Sequence, residues 1–194
     1  MESVNVKERN TAVEIKGRVK LIYVHKKGML AQNNRGDDIA FFQFGNKIES
    51  YLHLPHEYNE SDNDPEYPDC TDIYCFFNEG FTFWVDRKDR NVLWRMRSDI
   101  SFIFEGHELI GMNFDDFMKL NLLTPDYVEK DRLSLAIGKE YFRHSTLYYF
   151  CEYKLTFYVW RKRIRTVIIN NPFFEDMEGK IRTLGIEEYE HLAR

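Results

Sequence analysis

The stretch Ile73-Tyr74-Cys75-Phe76-Phe77-Asn78-Glu79-Gly80-Phe81-Thr82-Phe83-Trp84-Val85 sets the reading of this chain. Tyr74, Phe76 and Phe77 form one aromatic run, and Phe81, Phe83 and Val85 form another. Asn78-Glu79-Gly80 between them suits a tight hairpin turn. A second turn at Asp86-Arg87-Lys88-Asp89-Arg90-Asn91 leads to a third strand, Val92 to Arg97, so the segment reads as an antiparallel meander. The aromatic supply is general: 16 Phe, 12 Tyr and 3 Trp in 194 residues. With only 10 Gly and 5 Pro, the chain is neither collagen-like nor of low complexity.

Upstream, Val13, Ile15, Val19, Ile22 and Val24 alternate with polar residues, which predicts one or two strands interrupted near Gly17. Lys26 to Asp38 is turn-rich and reads as a loop or hairpin, and Ile39 to Phe44 as a buried strand. After Gly45, the spacing of Ile48, Tyr51, Leu52 and Leu54 predicts a short amphipathic helix limited by Pro55. Downstream, Ile100 to Phe104 is strand-like, and Phe114, Phe117, Met118 and Leu120 predict a helix after Gly111. A polar region from Asn121 to Lys139 follows, in which Thr124-Pro125-Asp126 suits a helix cap. Tyr148 to Val159 reads as one long strand or a strand pair, Arg161-Lys162-Arg163 as a turn and Ile164 to Ile169 as the closing strand. Leu184, Ile186, Tyr189 and Leu192 suggest a helix in the tail.

Two blocks of this pattern correspond. Gly45, Ile48, Tyr51, Leu52 and Leu54 match Gly111, Phe114, Phe117, Met118 and Leu120 at constant offset. Tyr74, Phe76, Phe81, Thr82, Phe83 and Val85 match Tyr148, Phe150, Leu155, Thr156, Phe157 and Val159. The expected fold is therefore α+β, with two tandem helix-plus-antiparallel-meander repeats in one compact unit. The implied organisation is 1–38, N-terminal strands and loop; 39–99, first repeat; 100–175, second repeat; 176–194, tail helix.

The charge pattern singles out Glu57, Tyr58, Glu60, Asp62, Asp64, Glu66, Tyr67, Asp69 and Asp72. Seven carboxylates fall in sixteen residues that hold no Lys or Arg. A solvated linker is one account of such a run. The other is an anionic surface that docks on a basic partner, since complementary charge speeds encounter and rejects wrong partners. Tyr58 and Tyr67 would add amphipathic contact area.

Other constellations carry less. His53, His56, Cys70 and Cys75 are zinc-ligand types, but their order is unlike a finger and Cys75 falls in an apolar strand. Motifs for a nucleophile elbow, a zinc protease or a phosphate loop are missing. Asp115-Asp116 sits at an expected helix start, where the dipole accounts for it. Cys151 with His144 is a conceivable dyad, but Cys151 lies in the aromatic block, where a buried thiol is inert. Arg87, Lys88 and Arg90, with Arg95 and Arg97, and Arg161, Lys162, Arg163 and Arg165 suit protection of hairpin tips and edges, although such clusters can also bind nucleic acid. The expectation is a non-enzyme without metal or cofactor. Three cysteines, no secretory signal and no apolar run of spanning length point to a cytoplasmic protein. The net charge of −5 points to a protein partner rather than nucleic acid or membrane.

A Gly before a short apolar helix and then an aromatic meander, twice over, resembles the tandem helix-on-sheet modules of β-lactamase inhibitor proteins. The residues that carry this are Gly45 to Leu54 with Tyr74 to Val85, and Gly111 to Leu120 with Tyr148 to Val159. In general character, an acidic, aromatic-rich chain without catalytic motifs is similar to bacterial immunity proteins. That resemblance implies an inhibitor that occludes a toxin, for example a basic nuclease domain, by binding it. A small nucleic-acid-binding module or enzyme using the basic turns, and a structural homo-oligomer subunit, are the alternative readings.

Overall fold

The computed structural model describes residues 18–60, 71–78, 80–86, 92–134, 142–171, 175–177 and 180–182. The described chain is mostly β. Strands β1 (Lys20–Val24), β2 (Gly28–Gln32) and β3 (Asp38–Gln43) form an antiparallel meander. A 3₁₀ turn at Ile48–Tyr51 leads into β4 (His56–Glu60), β5 (Thr71–Phe76), β6 (Phe81–Asp86) and β7 (Val92–Ser98). The short hairpin β8 (Ile103–Phe104) and β9 (His107–Glu108) precedes helix α1 (Phe114–Lys119). There follow β10 (Tyr127–Ser134), β11 (Phe142–Phe150), β12 (Leu155–Trp160) and β13 (Arg163–Asn170), then the small hairpin β14 (Glu175–Met177) and β15 (Lys180–Arg182).

Two larger sheets result. One has five strands in the order β3-β2-β1-β8-β9, and the other eight in the order β10-β11-β12-β13-β7-β6-β5-β4. The larger sheet joins two four-stranded meanders through β7 and β13, with Val167 opposite Ser98 and Asn170 opposite Arg95. The two sheets share one core. Phe42 of β3 lies 5.4, 5.2 and 4.9 Å from Phe76, Phe81 and Phe83 of the larger sheet. Phe102, stacked on Tyr23 at 5.6 Å, reaches Phe157 at 6.4 Å. Offset-stacked or edge-to-face rings with centroids about 4.5–7 Å apart are the favoured arrangements of aromatic pairs.

The α+β expectation is corrected. The matched helical blocks are a four-residue 3₁₀ turn and a six-residue helix. Neither is long enough to form a layer, since isolated helices of this length depend entirely on tertiary packing. Ile48 and Tyr51, like Phe114 and Phe117, plug the core while strands carry the architecture. The helix-on-sheet modules implied by the inhibitor resemblance are likewise not what the chain builds. What the two meanders share is strand register: Tyr74 faces Phe83 as Tyr148 faces Phe157, and Phe76 faces Phe81 as Phe150 faces Leu155. Register shifts fall at Trp84/Val85 and at Tyr158/Val159.

Three local expectations also change. The turn-rich stretch after Lys26 contains β2, whose Met29 and Ala31 are fully buried. The acidic run begins as β4, and Thr124-Pro125-Asp126 leads into β10 rather than capping a helix. The tail helix expected through Leu184, Ile186, Tyr189 and Leu192 lies outside the described residues, as do Val13, Ile15 and Gly17.

Candidate partner-binding edge

The acidic run starts on the outermost strand of the larger sheet. Among the described residues β4 pairs only with β5, Glu57 opposite Cys75, Tyr58 opposite Tyr74 and Glu60 opposite Asp72. Tyr58 is 37% exposed. Its ring packs 5.1 Å from Tyr74, and its hydroxyl donates to Asp72 Oδ1 at 2.9 Å. Asp72 itself is buried at 7% exposure, so it braces the edge from below rather than facing solvent. A hydrogen bond to a carboxylate is stronger than one between neutral groups, and fixes the Tyr58 ring at the rim. The ring and Glu57 thus stand on a paired strand instead of a loose linker. Asp62, Asp64, Glu66, Tyr67 and Asp69 lie outside the described residues.

The zinc-type residues are not assembled among the described residues. His56 is opposite Phe76, whereas its neighbour Glu57 is opposite Cys75. Successive residues of a strand point to opposite faces, so His56 and Cys75 address different sides of the sheet. His56 Nδ1 lies 2.8 Å from the Leu54 carbonyl oxygen, and Cys75 Sγ lies 3.9 Å from Thr82 Oγ1. His53 is exposed, Cys70 is outside the described residues, and no group of three potential ligands occurs among the described residues.

The candidate dyad is separated by the fold. His144 is on β11 and Cys151 lies beyond its end, so the two backbones are ~20 Å apart at a strand's rise per residue. Cys151 is exposed rather than buried. Its thiol is pushed up by desolvation and by the neighbouring Asp126 carboxylate, which disfavours the thiolate. Asp115 and Asp116 occupy the first turn of α1, capped by the Asn113 side chain, which accepts from the Asp115 N–H at 2.8 Å. Their carboxylates pair with Lys162 at 3.3 Å and Lys119 at 2.7 Å.

The basic turn at 161–163 is built into the structure. Lys162 is held by Asp115, and Arg163 Nη1 donates to the Gly111 carbonyl at 2.7 Å. Arg161 and Arg165 lie over the Trp160 ring at 4.4 and 5.6 Å. Arg97 pairs with Asp99 at 2.7 Å, and Arg95 Nε donates to Asn170 Oδ1 at 2.9 Å. Burial lowers the Arg95 pKa from its usual value. Arg87, Lys88 and Arg90 lie outside the described residues.

Sequence reasoning missed the opposite edge. On β10, Tyr127 and Val128 are 52% and 53% exposed, and Tyr127 stacks on Tyr149 at 4.1 Å. A strand exposed on both faces shows no apolar alternation, so its signal is absent.

The class defined so far is a mostly β protein of two packed sheets with an acidic strand edge. Compared with family models, curated proteins and solved structures, the chain finds no match in any of the three. No helix of the described residues is long and apolar enough to cross a membrane.

Proposed function

We propose that this chain is a non-catalytic binding protein that neutralises a partner by covering a basic surface. Its most concrete form is an immunity protein against a toxin such as a nuclease. The observation that carries the reading is the edge strand β4, where an exposed Tyr58 is locked by Asp72 at the start of a run of carboxylates. A rigid aromatic beside a single-signed charged segment combines contact area with steering. Two further features support it. Each cation of the exposed 161–163 turn has an intramolecular partner, Trp160, Asp115 or the Gly111 carbonyl, which favours a structural role for the turn over the nucleic-acid alternative. The exposed Cys151 thiol is held away from its reactive form.

The test is co-expression with the product of the reading frame adjacent to this gene, which the proposal expects to carry a toxic domain. The wild-type chain restores growth, whereas Asp62→Lys/Asp64→Lys/Glu66→Lys does not, with both chains folded by circular dichroism. Equal protection by the triple variant would overturn the assignment to the acidic run.

A further inference from the structure

At the far end of the eight-stranded sheet from β4, strand β10 pairs among the described residues with β11 alone. Asp126, Tyr127, Val128, Glu129 and Lys130 are consecutively exposed. Tyr127 and Val128 are the most exposed large apolar residues among those described, and they point to opposite faces of the strand. Edge strands are normally blunted by charge, bulges or coverage, because their unpaired backbone groups invite another strand.

The charge order says which strand fits. In a two-fold antiparallel pairing that extends the sheet, each side chain stays on its own face. Opposed residues must then have the same parity, and one residue lies opposite its own copy. Centring on Glu129, Lys130, Asp131 or Arg132 sets like charges at that central position. Centring on Tyr127 limits the ladder to Asp126–Val128 before it meets Pro125, which has no N–H, and centring on Leu133 limits it to Arg132–Ser134, where the strand ends. Centring on Val128 gives the longer, complementary ladder of five residues, Asp126–Lys130, which ends where Pro125 would face Asp131. It sets Val128 against its copy and flanks it with two opposed Asp126–Lys130 pairs on the same face. On the other face, Tyr127 meets Glu129 twice. That carboxylate already accepts from the Tyr149 hydroxyl at 3.0 Å.

We propose that β10 pairs with β10 of a second copy of this chain, centred on Val128, to form a symmetric dimer with a continuous sixteen-stranded sheet. The two β4 edges then lie at its outer ends, so the dimer is independent of the partner reading and would present two acidic edges at once.

Sedimentation velocity and cysteine cross-linking test this. The wild-type chain sediments at twice its 23.4 kDa mass. Val128→Glu, which sets two like charges at the axis, raises the dimer dissociation constant by at least about tenfold. Lys130→Asp weakens the dimer similarly, and adding Asp126→Lys restores it. In a Cys151→Ser background, Val128→Cys forms an intermolecular disulfide, because directly opposed strand residues have Cα atoms ~4.5–5.5 Å apart. Lys130→Cys does not, since four residues of offset place its copies ~13 Å apart. A monomer at high concentration, a dimer indifferent to Val128→Glu, or cross-linking at Lys130 but not Val128 overturns the proposal. The cross-link reads register directly, and so remains decisive where a charge variant fails to fold.

Discussion

Replacing Phe157 with Ala probes whether the two sheets form one core. Phe157 is fully buried on β12, with Phe150 at 4.6 Å, Phe117 of α1 at 5.3 Å and Phe102 of the β7–β8 connection at 6.4 Å. One ring therefore touches its own sheet, the helix and the segment that leads to the smaller sheet. Truncating a fully buried Phe costs about 3–5 kcal/mol, because the cavity refills only in part. For a chain of this size, 1 kcal/mol shifts Tm by roughly 2–4 °C, so the variant should melt about 6–20 °C lower. The fitting assay is calorimetry with urea denaturation, with Phe41→Ser as control. Phe41 is 37% exposed, and surface changes usually stay within about 0.5 kcal/mol. A double-mutant cycle sharpens the result. Phe150 and Phe157 should couple by about 0.5–1.5 kcal/mol, as aromatic pairs in contact do. A loss below about 1 kcal/mol for Phe157→Ala, or two melting transitions in the wild-type chain, would refute the single shared core.

Glu108→Ala should destabilise by about 2 kcal/mol, because its carboxylate accepts from Ser101 Oγ at 2.5 Å, Phe102 N at 2.8 Å and Ile110 N at 3.0 Å. Hydrogen exchange should show faster amides at Phe102 and Ile110, and unchanged protection there would refute the clamp. Gly80→Ala should cost about 1–3 kcal/mol in urea denaturation, since a Cβ would sit 2.1 Å from Ile100 Cγ2. Adding Ile100→Ala should recover part of that loss, and no recovery would sink the explanation. The Tyr23 hydroxyl is pushed up to about 12 by burial. Its folded state keeps a proton that the unfolded chain releases above pH 10, so its contribution is present below pH 10 and falls as pH rises towards 12. The loss is about 2–3 kcal/mol at the top of that window. Tyr23→Phe should flatten that part of the stability profile, and an unchanged slope would refute the assignment.

The sequence made the central strands legible and hid the edges. Phe76, Phe81, Phe83 and Phe157 face the core at every second position, and their strands stand where alternation placed them. β4 and β10 lack the pattern because an edge strand is wet on more than one side, and their charged residues read as loop. The helices are shorter than the apolar spacing suggests for a related reason. Gly45 to Leu54 and Gly111 to Leu120 carry apolar residues at helical spacing, but that spacing also fits a single turn that buries Tyr51 or Phe117. At the candidate edge, Glu57 and Tyr58 were legible from charge and aromatic character. Nothing local revealed that Asp72 turns inward to hold the Tyr58 hydroxyl, because the partners are fourteen residues apart and meet only through the β4–β5 register.

The most direct test of the account is calorimetric binding to the product of the reading frame adjacent to this gene, expected to carry a toxic domain, at low and at high salt. Docking through the acidic run that begins on β4 predicts affinity that weakens as salt rises, and a loss of at least about tenfold for Asp62→Lys/Asp64→Lys/Glu66→Lys. An affinity unmoved by both salt and charge reversal would contradict it.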